Sequence, residues 1–189
     1  VRAAVTTPPP GPGETFPAFR GKGSRGFAEG SGYPINWDGA AGKGVVWKVK
    51  IPKAGYNSPV IWGSKLFITG ADASGEEIYC LNVADGKTIW QSSPRNIQGA
   101  PATPPETSED TGLAAPTAAV NGEFVVAIFG TGNLVCADHQ GKIVWAKNVG
   151  LPDNHYGHSS SLIIHKNNVI VQFDHNIKAT VFAFNIRTG

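Results

Sequence analysis

One phrase recurs along this chain and limits what it can fold into. It appears as Asp38-Gly-Ala-Ala-Gly-Lys-Gly-Val-Val-Trp47, Asn82-Val-Ala-Asp-Gly-Lys-Thr-Ile-Trp90, Asp138-His-Gln-Gly-Lys-Ile-Val-Trp145 and Asn185-Ile-Arg-Thr-Gly189. Each copy carries Asp or Asn and then a Gly. The first three continue through Lys and two hydrophobic or Thr positions to Trp. A supersecondary unit returning every ~45–55 residues marks a stacked repeat, and with strand-like content the architecture at that period is a β-propeller.

The residues between copies supply the blades. Asn57–Trp62, Leu66–Thr69 and Glu77–Asn82 read as three strands, with Gly70–Gly75 as a loop and Thr88–Trp90 opening a fourth strand. Ala115–Val120, Phe124–Phe129, Leu134–Asp138 and Ile143–Trp145 repeat that order, with Asn121-Gly122 as a hairpin turn. Ser159–Ile164, Val169–Phe173 and Thr180–Asn185 give a third set, with His165 in a turn. The high content of turn formers, 24 Gly and 14 Pro, suits many short strands joined by tight turns. The fold expected is all-β: about three four-stranded antiparallel blades of a seven- or eight-bladed ring.

The expected organisation is a Pro/Gly-rich tether over 1–18 and a partial propeller over 19–189. Within the latter, 35–50 are closing outer strands, 51–92 a blade, 93–112 an insertion loop, 113–148 a blade and 155–189 an incomplete blade. Three copies do not close a ring that needs four to eight blades. The expectation is a chain that continues or is completed by another polypeptide. The chain starts at Val1 and has no Met, which reads as a mature or partial chain whose leader has been removed.

The repeated residues read as structural. Gly42, Gly86 and Gly141 suit turn positions of left-handed backbone, which a Cβ resists. Asp38, Asn82, Asp138 and Asn185 are placed to accept from turn amides. Trp47, Trp90 and Trp145 are expected to wedge between sheets, each burying on the order of 150–250 Å² with its indole N–H bonded. Cys80 and Cys136 share one repeat slot, occupied by Ala183 in the third set. Equivalent slots in neighbouring sheets lie ~10 Å apart, too far for a disulfide, so both are expected as buried free thiols.

Net charge is +2 with 16% charged residues, which gives no basis for nucleic-acid binding. No stretch reaches the roughly 18 apolar residues of a membrane-spanning helix. Four histidines fall between His155 and His175, but His155 and His158 point to opposite faces of an extended strand and chelate poorly. No Gly-x-Ser-x-Gly elbow occurs, and Ser159–Ser161 after His158 is no triad. Catalytic and metal residues are therefore not assigned. Asn57, Ser58, His158 and Ser159 are the candidates to face a central channel.

The pattern Ala/Cys-x-Asp/Asn-x(3)-Gly-Lys-x-x-Trp resembles the tryptophan-docking motif of the pyrroloquinoline-quinone-like (PQQ-like) β-propellers. Phe19-Arg-Gly-Lys-Gly-Ser-Arg-Gly26, Ala28-Glu-Gly30 and Trp37 are similar to the lead-in of secreted bacterial proteins of that family. The resemblance implies a periplasmic or extracellular propeller, in a superfamily holding quinoprotein dehydrogenases and an outer-membrane assembly lipoprotein. It points first to a non-catalytic scaffold or binding subunit engaging a protein partner or the remaining blades, with no cofactor. The alternatives are part of a quinoprotein oxidoreductase using PQQ and calcium, and small-ligand or carbohydrate binding in the channel. No adjacent-Cys pair is present, and no position matches the calcium ligands or catalytic Asp of the dehydrogenases.

Overall fold

The computed structural model describes residues 15–27 and 33–189. Residues 1–14 of the expected tether and the Ala28-Glu-Gly30 part of the lead-in lie outside the described residues. Among the described residues, twelve strands form three antiparallel meanders. The first sheet holds β1 (Thr15–Phe16), β2 (Val60–Trp62), β3 (Lys65–Asp72), β4 (Gly75–Asn82) and β5 (Thr88–Ser92). The second holds β6 (Ala119–Val120), β7 (Phe124–Ile128), β8 (Asn133–Asp138) and β9 (Ile143–Asn148). The third holds β10 (Ile163–His165), β11 (Asn168–Phe173) and β12 (Thr180–Asn185). The protein is all-β, with three sheets set as successive blades that do not close into a ring.

The repeat register is exact to the residue. Val60, Ala119 and Ile163 pair with Phe67, Val126 and Ile170, which pair in turn with Cys80, Cys136 and Ala183. Alternation along each third strand then sends neighbouring residues to opposite faces. Ile78 and Cys80 of the first sheet share one core with Val135 and Ala137 of the second. Leu134 and Cys136 of the second share another with Val169 and Val171 of the third, with Phe182 and Phe184 packed against it. Each sheet thus buries both faces only when it stands between two others.

The structure differs from the sequence reading at four places. Thr15 and Phe16, placed in the tether, pair with Trp62 and Ile61 as a fifth strand on the inner edge of the first sheet. Segment 70–75, read as a loop, is mostly strand, because β3 and β4 pair out to Asp72 and Gly75. Lys53 Nζ fastens that hairpin, donating to Asp72 Oδ1 (2.8 Å), Ser74 Oγ (2.7 Å) and the Gly75 carbonyl (2.9 Å). His165, read as a turn residue, ends β10 opposite Asn168. Within 35–50, read as two outer strands, the pairing among the described residues is the Asp38–Lys43 bridge. With no inner strands beside it, that segment leaves Ile35 91% and Val46 65% exposed.

Candidate functional site

The joints between sheets come first, because they fix what the blades present. Trp47 Nε1 donates to the Val83 carbonyl (2.8 Å), Trp90 Nε1 to His139 (3.0 Å) and Trp145 Nε1 to Ile186 (2.7 Å). Each acceptor follows the Asp or Asn of the next copy by one residue. Each indole also packs closely against the next copy's glycine. A methyl group on Gly86, Gly141 or Gly189 would come within 2.6, 2.7 or 2.9 Å of its tryptophan. These glycines have φ of +71°, +88° and +70°, so the turn and the ring both require them. Asn82, Asp138 and Asn185 hold the turns through Oδ1, accepting from Ala84, from Gln140 and Lys142, and from Arg187 and Thr188.

A second set of joints lies along the inner strands. The Ser58 N–H donates to Thr117 Oγ1 (3.0 Å), and the Thr117 N–H donates to Ser161 Oγ (3.1 Å). These three residues occupy one repeat slot, two before the Val60, Ala119 and Ile163 positions. In the first two blades an inner-edge amide therefore donates to a hydroxyl of the next blade. Sequence reasoning singled out Ser58 for the channel and missed Thr117 and Ser161, though all three are Ser or Thr two residues ahead of a strand.

Hydrogen bonds sort the loops into two ends. At one end lie the motif turns, with the Val83 N–H donating to the Ser64 carbonyl and the Ile186 N–H to Asn167. At the other lie the blade-to-blade connections, tied to the β3–β4 hairpin through Lys53 and to the 174–178 loop through the Asn176 N–H and the Asp153 carbonyl. This connection end exposes Tyr56 (64%), Leu151 (44%), Tyr156 (51%) and Ile177 (86%). The 93–112 insertion lies there too, with Gly99 facing Asn148 and Gln98 lining a 460 Å³ groove beside Phe182 and Phe184.

Asn57, Glu76, Asn133 and His158, beneath that end, are engaged by the chain itself. Asn57 Nδ2 donates to the Thr69 and Ala114 carbonyls (both 2.9 Å), while its Oδ1 accepts from the Thr69 N–H. Glu76 is buried and accepts from Thr131 Oγ1 and from Asn133 Nδ2 (3.0 Å), and Asn148 Nδ2 donates to Asn133 Oδ1 (2.8 Å). Burial pushes the Glu76 carboxyl above its usual range despite those donors. His158 is buried with Nε2 against the Gly150 carbonyl (2.8 Å) and its ring edge-on to Phe173. Desolvation holds it below the usual imidazole value, and because its partner is a carbonyl, Nε2 is the donor. Ser159 is exposed.

Residues 15–27 cover the inner edges. β1 lies on β2, the Pro17 carbonyl accepts from the Val120 N–H (2.8 Å) of the second blade, and Phe19 and Ser24 line a cavity with Ser160–Ile163 of the third. Ser58 shares a second cavity with Phe16, Phe19 and Phe27. The lead-in therefore runs along the strands that a channel ligand would touch.

A quinone with calcium would need grouped carboxylate and amide oxygens free to coordinate. Asn57, Glu76 and Asn133 are committed as above, and Asp174 accepts from Ser160 Oγ and Gln172 Nε2. Among the described residues no three His, Cys, Asp or Glu side chains converge to hold a metal. Cys80 and Cys136 are free, buried and in separate sheets, their thiols pushed up to about 12 by burial. The described residues named here do not supply that set of ligands.

No curated protein matches the chain by sequence. Among solved structures it is similar to BamB from Moraxella catarrhalis, with TM-score 0.54 and 17% identity over 78% of this chain and 42% of that one. It is also similar to a quinohemoprotein alcohol dehydrogenase from Pseudomonas putida HK5, with TM-score 0.54 and 16% identity over 76% and 21%. A quinohemoprotein alcohol dehydrogenase from Comamonas testosteroni gives TM-score 0.54 and 18% identity over 72% and 20%. The chain spans less than half the length of each, and at such identities the likeness concerns the fold. A family model described as outer membrane protein assembly factor BamB matches residues 12–189, and the chain belongs to that PQQ-like repeat family.

Proposed function

We propose that the protein is a non-catalytic, extracytoplasmic β-propeller scaffold whose connection end binds a protein partner. The observation that carries this reading is the contrast at that end. Tyr56, Leu151, Tyr156 and Ile177 are exposed, while Asn57, Glu76, Asn133 and His158 beneath them bond within the chain. Aromatic and aliphatic side chains on loops held by a rigid sheet suit a protein surface better than a small polar substrate. The matched family's description as an assembly factor supports the same reading. The three indole contacts are read here as the tryptophan-docking motif, which keeps the blades stacked so that the loops hold their places.

Photo-crosslinking side chains placed at Tyr56 and Ile177, and at Lys87 and Lys142 on the turn end, test the proposal in cells that make the protein. A discrete crosslinked protein from the connection-end positions alone, in the envelope fraction, is the expected result. Equal crosslinking from both ends, or none, overturns the reading. Saturable binding of pyrroloquinoline quinone with Ca²⁺ by the purified chain overturns it in favour of the oxidoreductase.

A further inference from the structure

The lead-in carries a cation that the joints between blades do not use. Between Thr15 and Phe27 stand Arg20, Lys22 and Arg25 and no Asp or Glu. Arg20 is exposed, and the ion pairs among the described residues run from Lys53, Lys87 and Arg187 rather than from it. Its backbone is nevertheless closely specified. Arg20 has φ of +63°, a left-handed conformation that a residue with a Cβ adopts at a cost. Flanking bonds impose it: the Gly26 N–H donates to the Arg20 carbonyl and the Gly21 N–H to that of Ala18, both at 2.9 Å. The side chain is placed as tightly. A methyl group on Gly26 would come within 2.6 Å of an Arg20 guanidinium nitrogen, so the cation rests against backbone that a glycine leaves open.

What that cation faces is apolar. Arg20 and Gly26 line a cavity of 280 Å³ together with Phe16, Phe19, Phe27 and Ser58. Phe16, on β1, packs against Gly21, where an added methyl group would lie 2.6 Å from its ring. Ser58 lines the cavity from the inner edge of the first blade, with its N–H already given to Thr117 Oγ1. Three phenyl rings, one guanidinium and one hydroxyl offer no oxygen cage for a metal ion and too few polar groups for a sugar. They match a flat apolar body that bears one carboxylate. The planar fork of a guanidinium takes a carboxylate through two parallel bonds, and aromatic rings take the body. The volume lies just below the ~300–1,000 Å³ of sites for drug-sized ligands, so the ligand is small.

We propose that the cavity between the lead-in and the first blade binds a small aromatic carboxylate, its carboxylate on Arg20 and Ser58 Oγ and its ring among Phe16, Phe19 and Phe27. Occupancy fastens the lead-in to the inner edge of that blade. None of these residues belongs to the exposed set at the connection end, so this proposal and the partner-binding one stand or fall separately.

The test titrates the ¹⁵N-labelled 189-residue chain with hydrocinnamate and follows backbone amides by NMR. The expected result is saturable shifts at Gly26, Phe27 and Ser58, with none at Gly86 or Gly141. Hydrocinnamamide, equal in shape but neutral, and propanoate, which lacks the ring, should each bind roughly tenfold more weakly. Arg20→Gln removes the charge at an exposed position, so the variant keeps its urea midpoint and loses about tenfold in affinity. Phe19→Ala, at a second exposed position, should weaken binding about fivefold. Equal binding of the acid and its amide, or affinity that survives Arg20→Gln, overturns the proposal. So does the absence of saturable shifts at all three residues.

Discussion

Trp90 packs against Gly141, and its Nε1 reaches the His139 carbonyl at 3.0 Å, so one side chain both packs on and bonds to the second sheet from the first. Its ring also meets Phe67, a fully buried residue of the first core, at 5.8 Å. Trp90→Ala is expected to cost about 3 kcal/mol, since it removes ring packing and leaves a cavity. Trp90→Phe should cost about 1 kcal/mol for the lost N–H donor and reduced packing. Gly141→Ala forces a Cβ to within 2.7 Å of the ring at φ +88° and should cost about 1–3 kcal/mol. Urea unfolding of the three variants checks the order; a neutral Gly141→Ala defeats the account.

The inner joints carry a different expectation. Thr117→Val keeps the shape of the side chain but removes the Oγ1 that accepts from the Ser58 N–H. Stability should fall by about 1 kcal/mol, since the Ser58 N–H left without its acceptor is only partly buried. Amide hydrogen exchange locates the loss: Ser58 exchanges faster, while the Thr117 N–H, still bonded to Ser161 Oγ, keeps its protection. Unchanged Ser58 protection would show that the hydroxyl chain does not hold the blades.

Much of the fold was legible because motif and strand periodicity fall in the same register. Asn82, Gly86 and Trp90 mark a turn and a strand whose partners are themselves readable as alternating or apolar runs. What stayed hidden depends on distant chain. Thr15 and Phe16 follow a Pro- and Gly-rich stretch with no strand pattern, and their strand exists only because β2 offers a free inner edge. Glu76 falls between the loop and the strand read from the sequence and carries no signal of its own, and Thr131 and Asn133 approach it from the next blade. Of the channel candidates, Asn57 and His158 bond to backbone carbonyls of their own chain, Ser58 joins the inner hydroxyl series and Ser159 is exposed. Burial and pairing of this kind leave no trace in residue spacing.

Two opposed pH effects follow from the buried titratable groups. Burial raises the Glu76 carboxyl above 4.5, so the native state binds its proton more tightly than the unfolded chain. Stability from this group is present at low pH and is lost as pH rises through the folded value. His139 and His158 are shifted below 6.5 by desolvation, so their contribution is present above 6.5 and is lost as pH falls. In urea midpoints measured from pH ~8 to ~4.5, Glu76→Gln should remove the acid-side gain and leave the histidine loss. Parallel pH profiles for the two proteins would show that Glu76 does not titrate in the folded range.

Thr69 offers the converse case. Its backbone N–H and carbonyl both bond to Asn57, but its Oγ1 is buried with no partner among the described residues. The residue is 1% exposed on β3, where the hydroxyl loses its hydration and regains nothing. Thr69→Val keeps the branched shape, fills the same space and removes the orphaned group. It is expected to raise stability by about 1 kcal/mol, seen as a higher urea midpoint with an unchanged slope. A loss of similar size would mean that a buried water bonds the hydroxyl, and an ordered solvent peak beside Oγ1 in a high-resolution crystal structure would identify it.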